Sequence, residues 1–584
     1  MDDALNDLSK EDRLFRMRHS AAHIMAEAVL EQFPDGKFAI GPPIDHGFYY
    51  DFDLPRPLTP DDLETIERRM HQTIDANHEF VQEDIGAEGA RSMFAEQPYK
   101  IELIDGIESP TVSLYRHGGF TDLCEGPHVE RTGQVGAFKL TSVAGAYWRG
   151  DEHRPMLQRI YGALFETQEE LDDYLERLEE MQRRDHRRVG RELELFTTHE
   201  SIGAGLPLWL PKGATVRGLL ETYITGLERE AGYQHVYTPD IAKRELYERS
   251  GHWAHFKDDM FPSMQSEHEE FVLRPMNCPH HILIYASKLR SYRDLPLKLA
   301  ELGTMYRYER SGVVGGLSRV RAMTLNDAHI FCQPEQVKGE FSHVMRLVEE
   351  AYETLGITEY SYQLSLRDPD DREKYVDDDA MWETAEQILR SAMDEMSLPY
   401  TEARGEAAFY GPKLDIQFRD LLDREETVST IQIDFHLPER FDLTYIGEDS
   451  AEHRPVIIHR GVLSTMERMM AYLIELYGGA FPLWLAPVQA VVIPIADRHV
   501  EYAERVADDL RAAGLRVELD DRGERMQAKI RDAQLQKVPY MLVVGDREQE
   551  ADAVAVRHRD GSDLGAMPLF QAIDRLKDEV TTKT

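Results

Sequence analysis

Residues 301–331 read ELGTMYRYERSGVVGGLSRVRAMTLNDAHIF. Two apolar-rich arms, 302–308 and 319–325, flank a glycine-rich turn at 311–318, which predicts an antiparallel hairpin with a long loop. On strand parity Arg307 and Glu309 share one face of the first arm. Arg319, Arg321 and Met323 share one face of the second. Arginines and a carboxylate make a poor core face. Two readings follow: a solvated sheet face, or a surface for phosphate oxygens and carboxylates, which guanidinium forks match.

The 584 residues imply several domains, three or four by length. Lys and Arg number 67 against 107 Asp and Glu, a net charge of −40. Such a chain is no general polyanion binder; nucleic acid would have to meet local basic patches. Cys124, Cys278 and Cys332 are the only cysteines, too few and too odd in number for a disulfide framework. The acidic N-terminus is no targeting peptide, and no apolar run reaches membrane-spanning length. The expected setting is cytoplasmic, with no membrane partner.

Residues 1–166 read as one α+β unit. A helix over 12–33 places His19 and His23 on one face. An aromatic strand follows at 47–52, then a helix over 60–77 that Thr59 caps and Pro60 opens. Cys124 and His128 lie in a Gly-Pro loop, 120–129. The four residues read three ways: a four-ligand metal site, a polar catalytic cluster, or unrelated surface histidines. A helix over 167–193 ends in the most basic run of the chain, with arginines at 183, 184, 187, 188 and 191. It is either a solvated linker or a contact to a nucleic-acid backbone; 167–190 is taken as the linker.

The block 191–485 mixes helices and strands. A helix over 214–231 is closed by Gly232, 427–435 alternates as a strand, and 455–470 runs from strand to helix through Gly461. Residues 486–584 read as a compact α/β unit of the parallel-sheet type. Neither a P-loop nor a strand-linked G-x-G-x-x-G occurs. A nucleotide would therefore have to use the arginines of the hairpin.

The central block resembles class II aminoacyl-tRNA synthetases, and residues 12–584 are similar throughout to the threonyl-tRNA synthetase family. The class motifs occur in order: the helix and strand ending at Pro239; Tyr306-Arg307-Tyr308-Glu309 with Arg319-Val320-Arg321; and Gly461-Val462-Leu463-Ser464 to Glu467-Arg468. RPMNCPHH, AFYGPKLD, NDAHIFC and IIHRGVLSTMER are family-specific stretches. The small N-terminal domain usual in bacterial members is expected to be missing. The resemblance implies an α+β editing domain (1–166), an antiparallel-sheet class II catalytic domain (191–485) and an α/β anticodon-binding domain (486–584). The first motif implies a homodimer.

It also implies a two-step ligation of L-threonine to tRNA(Thr) through threonyl-adenylate, with ATP giving AMP and pyrophosphate. Arg307 would contact the α-phosphate, Glu309 the adenine amino group, and Arg319 and Arg468 the outer phosphates, with Mg²⁺ bridging phosphate oxygens. Cys278, His329 and His459 are the implied ligands of one Zn²⁺ per subunit, whose open positions take the threonine amino and hydroxyl groups. Met276, Asp327, Tyr410 and Gln432 would line the threonine site, with Asp327 facing the ammonium. Cys332, on the opposite strand face from His329, is left out. Such a site rejects valine but not serine, so a second, hydrolytic site is needed. His19, His23, Cys124 and His128, with Lys100 and Asp122, match the family's editing module, read here as a metal-free, water-positioning site. Glu548 and Arg557 match positions that read anticodon bases.

Four positions depart from the family pattern. Met323 stands where phenylalanine stacks on adenine, Leu325 and Thr427 where glutamines are common, and Gly523 where asparagine is usual. They raise the alternatives of a specialised second copy and of a synthetase-like protein that binds RNA without charging it.

Overall fold

The computed structural model describes residues 5, 7–151, 153–310, 312–422 and 424–583. The chain divides into two compact units, Met1–Glu179 and Glu180–Thr584.

In the first unit the helix Lys10–Gln32 lies on a five-stranded antiparallel sheet ordered Lys37–Phe38, Gly47–Asp53, Met156–Phe165, Ala137–Tyr147, with Pro43–Ile44 beside Gly47–Asp53. Ala21, Ala22, Ala26 and Ala28 give that helix a shallow face, so Phe48, Tyr50 and Phe52 of the sheet reach it and are fully buried. The helix Pro60–Asp75 starts where the sequence predicts. The Thr59 hydroxyl accepts from the Asp62 N–H, and the Asp62 carboxylate accepts from the Thr59 N–H. A smaller sheet, Val81–Gly86, Thr111–His117 and Phe120–Leu123, completes the unit.

The second unit is built on an eight-stranded sheet. Its order is Gln234–His235, Leu297–Tyr306, Ala322–Cys332, Val456–Thr465, Glu425–Asp434, Lys413–Arg419, Tyr360–Leu366, Tyr400–Arg404. Only the two edge pairings are parallel. Alternation along the strands gives the sheet two different faces. Ala328, Ile330 and Cys332, with Ile458, Val462, Ile431, Ile433, Leu414 and Ile416, join helices Pro211–Glu230, Val337–Thr354 and Asp379–Glu395 in the main core. Each fully buried isoleucine contributes roughly 1.5–3 kcal/mol. The intervening residues, Asp327, His329, His459, Gln432 and Asp415, face the other way.

The hairpin differs from the sequence reading in one important respect. Its arms are Leu297–Tyr306 and Ala322–Cys332, so Arg307, Glu309, Arg319 and Arg321 lie in the connecting loop and not on a strand face. Arg307 N–H still donates across the hairpin to Arg321 O at 3.0 Å, but beyond it the backbone is claimed from elsewhere. Tyr308 N–H donates to Asp259 O at 2.7 Å and Arg321 N–H to Gly205 O at 2.7 Å, which ends the ladder. Ser311, the start of the predicted turn, lies outside the described residues. The long basic helix is two helices, Gln168–Arg184 and His186–Glu192. Asp185 between them is extended and caps the second through the Arg187 N–H. Four of the five arginines in its basic run are paired locally: Arg183 and Arg184 with Glu180, Arg187 with Asp185, Arg188 with Glu192. The helix predicted from Ala214 starts three residues earlier, because Pro211 fits its first turn.

The C-terminal sheet is mixed rather than parallel. Val517–Leu519, Ala490–Pro494 and Tyr540–Val544 run parallel, whereas Ala553–His558 and Asp563–Pro568 are antiparallel additions. The last strand is mostly exposed and contains Gly565 at φ +79, so its sequence carries no strand period.

Arg460 and Glu228 form a fully buried ion pair, 2.6 Å apart, that joins the Val456–Thr465 strand to the Pro211–Glu230 helix. The Arg460 guanidinium also lies 4.2 Å from the centre of the Tyr233 ring. Glu228→Gln strands that guanidinium, and urea denaturation is expected to show a loss of about 3–5 kcal/mol. A loss below about 1 kcal/mol, the scale of an exposed pair, would contradict this account.

Candidate active site

His329 and His459 sit directly opposite one another on adjacent strands, and Cys278 opens the helix Cys278–Ala286 with Pro279 behind it. Their ligand atoms lie within 4.8 Å of one another, and all three residues are buried. A chain of hydrogen bonds fixes the histidine tautomers. The Glu301 carboxylate can only accept, so His281 Nε2–H donates to it at 3.2 Å. His281 Nδ1 then accepts from His329 Nδ1–H at 2.8 Å. This leaves His329 Nε2 a buried nitrogen without a hydrogen-bond partner. His459 Nε2 meets Asp434 Oδ2 at 2.8 Å, which leaves Nδ1 for the cluster. Burial works to raise the Glu301 carboxyl, but hydrogen bonds from His281 and Thr238 outweigh it and hold it at about 2. Burial keeps His329 neutral and pushes the Cys278 thiol up. Two neutral imidazoles with oriented outer partners and one cysteine fit a Zn²⁺ set with open positions.

The residues expected around this trio are there. Asp327 accepts from Asn277 Nδ2 at 3.1 Å, and burial raises its carboxyl. Tyr410 OH donates to Gln432 Oε1, and its ring lies 5.1 Å from that of His459. Gln432 is the register partner of His459 on the other side. Met276 borders two apolar clusters, one containing Cys278 and the other Met305, Val320, Met323 and Leu325. Met323 and Leu325 thus share one apolar patch with Met276. No local pattern in the chain singles out His252. It is fully buried, its Nδ1 lies 2.7 Å from Ser250 Oγ, and its Nε2 has no partner. Burial, reinforced by the neighbouring His459, pushes it down to about 3.

At the end of the hairpin, burial lowers the Arg307 guanidinium, and among the described residues no hydrogen bond or ion pair satisfies it. Glu309 and Arg319 pair with each other, with Nε 2.9 Å and Nη2 2.8 Å from Oε2. Arg321 is structural: its Nε and Nη2 donate to Glu309 O. Arg468, on the helix Met466–Tyr477, donates to Ser318 O and Thr427 O, each at 3.2 Å. The Thr427 hydroxyl donates to Gln417 at 2.9 Å.

The first unit brings its predicted cluster together as well. His19, His23, Cys124 and His128 offer ligand atoms within 4.8 Å of one another. Cys124 Sγ lies 3.2 Å from His19 Nε2 and 3.3 Å from His128 Nε2. His128 Nδ1 meets Ser20 Oγ at 3.0 Å, and His19 Nδ1 donates to Pro127 O at 3.2 Å. Beside them Asp122 pairs with Lys100 at 2.5 Å and with His23 at 3.6 Å. Tyr50, unremarked in the sequence beyond its strand, donates to Asp122 at 2.5 Å and accepts from Lys100 at 3.0 Å. Burial pushes the Cys124 thiol up to about 12, and burial with His19 and His117 pushes His128 down to about 2. Glu548 and Arg557 are not brought together by a hydrogen bond or ion pair. Glu548 accepts from Gly545 N–H at 3.0 Å, and Arg557 pairs with Asp563 at 3.1 Å.

Residues 259–477 match the family model of the class II tRNA synthetase core domain (G, H, P, S and T). Residues 489–579 match the anticodon binding domain, and 112–161 the threonyl and alanyl tRNA synthetase second additional domain. The fold and the site on its sheet are those of a class II aminoacyl-tRNA synthetase. Among solved structures, the RNA binding domain of threonyl-tRNA synthetase from Cryptosporidium parvum Iowa II superposes with a TM-score of 0.65 at 37% identity, covering 68% of this chain and 98% of that one. The putative threonyl-tRNA synthetase ThrRS-1 from Aeropyrum pernix gives 0.59 at 28%, covering 69% and 96%. The threonine–tRNA ligase of Geobacillus sp. (strain WCH70) is 56% identical over 97% of this chain and 88% of its own. Threonine–tRNA ligase 1 of Bacillus subtilis (strain 168) is 55% identical over 94% and 86%. The chain belongs to the threonine–tRNA ligase family.

The depressed His128 has a consequence for stability. An unfolded histidine takes up its proton near 6.5, well before the folded one near 2. The stability is therefore complete above about pH 6.5 and is lost as pH falls below it. Urea midpoints at pH 8, 6.5 and 5 should fall, and His128→Gln should flatten the decline. Equal slopes would mean that His128 titrates normally.

Proposed function

We propose that the chain ligates L-threonine to tRNA(Thr) through threonyl-adenylate, and that its first unit hydrolyses Ser-tRNA(Thr). The observation that carries this reading is the half-buried Arg307, whose guanidinium has no hydrogen bond or ion pair of its own among the described residues, at the end of the strand pair that also carries His329 of the trio. A guanidinium partly withdrawn from water, with Glu309 and Asp259 near it but no carboxylate bonded to it, costs free energy until an anion arrives. The α-phosphate of ATP is such an anion, and Arg307 would take up the charge that builds there as the threonine carboxylate attacks. Arg468 and Arg319 hold the outer phosphates, whose remaining charge Mg²⁺ would neutralise. For this, Arg319 exchanges its Glu309 partner for phosphate, which frees Glu309 for the adenine amino group. Met323 supplies an apolar wall for the base.

Asp327, raised by burial, gains a partner when the threonine ammonium docks against it. Tyr410, Gln432 and Met276 close the pocket around the side chain. A Zn²⁺ held by Cys278, His329 and His459 would supply a Lewis-acid seat for the threonine amino and hydroxyl groups, a demand that valine cannot meet. Serine can meet it, which is the reason for the second site. There Lys100, Asp122 and the neutral His19, His23 and His128 orient a water without a metal, while Cys124 stays a thiol. Glu548 and Arg557 would exchange their present partners for anticodon bases. Tyr237, 96% exposed beside the first motif, supports a homodimer in which a second copy covers it. The setting is cytoplasmic.

The test is threonine-dependent ATP–pyrophosphate exchange, with zinc quantified on the same sample. Exchange with threonine, less with serine, none with valine and about one zinc per chain are expected. A folded, zinc-loaded protein without exchange would instead favour an RNA-binding protein that does not charge. Cys278→Ser should reduce threonine activation far more than ATP affinity; equal losses would indicate general unfolding. Arg307→Ala should lower kcat/KM for exchange by about 100-fold or more, with bound zinc unchanged. An effect confined to KM for threonine would remove Arg307 from the phosphate site.

A further inference from the structure

The turn at 315–319, between the arms of the hairpin, rests on a single imidazole from a distant part of the chain. His186 is the first residue of the helix His186–Glu192 and is buried. Leu317 N–H donates to His186 Nε2 at 3.1 Å. That nitrogen is therefore the acceptor, and the ring proton sits on Nδ1, which donates to Glu475 Oε1 at 2.7 Å. The same Glu475 oxygen accepts the backbone N–H of His186 at 3.3 Å. Glu475 belongs to the helix Met466–Tyr477, two turns beyond Arg468. The chain Leu317–His186–Glu475 thus ties the turn to the helix that carries Arg468.

A second observation points to the same seat. Gly316 has φ +51, and a Cβ there would lie 2.1 Å from His186 Nε2. The turn approaches the ring so closely that only glycine fits. Leu317 is fully buried in the main core, which anchors one side of the turn. Arg468 Nε donates to Ser318 O on the other side. Arg319 follows at once and carries Glu309 with it. Asp185, His186 and Glu475 are close enough together to suggest a cation site, but both ring nitrogens of His186 are committed, so the cluster is a hydrogen-bond node.

We propose that His186 is a positioning residue for the ATP site: its Nε2 seats the 315–319 turn against the Arg468 helix and so fixes Arg319 and Glu309. This rests on the assignment of that loop to ATP. His186 touches no substrate; it acts through the Leu317 amide and the Gly316 contact. Glutamine at 186 can place an acceptor oxygen near the position of Nε2, whereas alanine cannot.

The test compares the full chain with His186→Ala and His186→Gln. In threonine-dependent pyrophosphate exchange, His186→Ala should raise KM for ATP by about tenfold, the scale of one buried hydrogen bond, and leave KM for threonine and bound zinc unchanged. Deuterium exchange of a peptide covering 312–321 should quicken by about tenfold or more, with other peptides unaffected. His186→Gln should recover both readouts. A wild-type KM for ATP and a protected turn in His186→Ala would overturn the proposal. So would a His186→Gln variant as impaired as alanine, since that would make the ring a space-filler. Should His186→Ala not fold, Glu475→Leu, which removes the Nδ1 anchor, must give the same ATP-specific loss, and its absence counts against the proposal. If the wild type shows no threonine-dependent exchange, the ATP assignment fails, while the deuterium readout still decides whether His186 seats the turn.

Discussion

The site depends on the register between the strands Ala322–Cys332 and Val456–Thr465. A slip of one residue would turn His329 and Asp327 into the helix-packed core and bring Ala328 and Ile330 to the site. The ladder is irregular between Leu325 and Asp327, and the irregularity is locked by Asn326. This fully buried side chain accepts from the N–H groups of Val462 and Leu463, each at 3.3 Å, and donates to Glu228 at 2.8 Å. Glu228 also neutralises Arg460 on the same strand. One buried polar node thus satisfies the backbone that the bulge frees and pins the neighbouring strand, so the two histidines meet.

Both faces of that sheet are buried, for different reasons. The helix side is close-packed hydrocarbon, where alternation and volume decide everything. The other side holds titratable groups whose charge is removed by burial or neutralised by partners. Glu301 stays ionised because His281 and Thr238 donate to it, and through His281 it orients His329. Thr238 lies in the segment that follows the first-motif strand, so the geometry of the trio depends on a part of the chain far from it in sequence. Among the described residues, three groups near this face lack a hydrogen-bond partner: the Arg307 guanidinium, His329 Nε2 and His252 Nε2. In a folded protein such groups mark where a ligand completes the polar pairing.

The net charge of −40 is reconciled with an anionic substrate by locality. Most arginines in and near the site already have partners: Arg321 a carbonyl, Arg319 a carboxylate, Arg468 two carbonyls. On the proposed reading, phosphate is met by a few side chains whose pairing can be exchanged, not by a general positive surface. The basic run at 183–191, suggestive in sequence, is largely neutralised by its own neighbours.

The sequence by itself determined the pieces that depend on short-range chemistry. The Thr59-Pro60 cap, the Gly232 stop, the alternation of Glu425–Asp434 and the pairing of His19 with His23 on one helix face all follow from neighbours within a few residues. Family motifs in the sequence also pointed to Cys278, His329 and His459, though nothing in their spacing could. Only the tertiary structure decided what depends on distant backbone. The hairpin ladder ends at the single bond from Arg307 N–H to Arg321 O, because Asp259 and Gly205 claim the amides of Tyr308 and Arg321. The C-terminal sheet turns antiparallel at Ala553–His558 and is extended by a glycine-bearing edge strand with no period of its own. Tyr50, His252 and His186 matter through what they touch, and no local pattern marks them. Hydrogen bonds between residues a hundred or more positions apart leave no periodic trace in the chain, so the seat of the Gly316 turn on His186 could be read only from the fold.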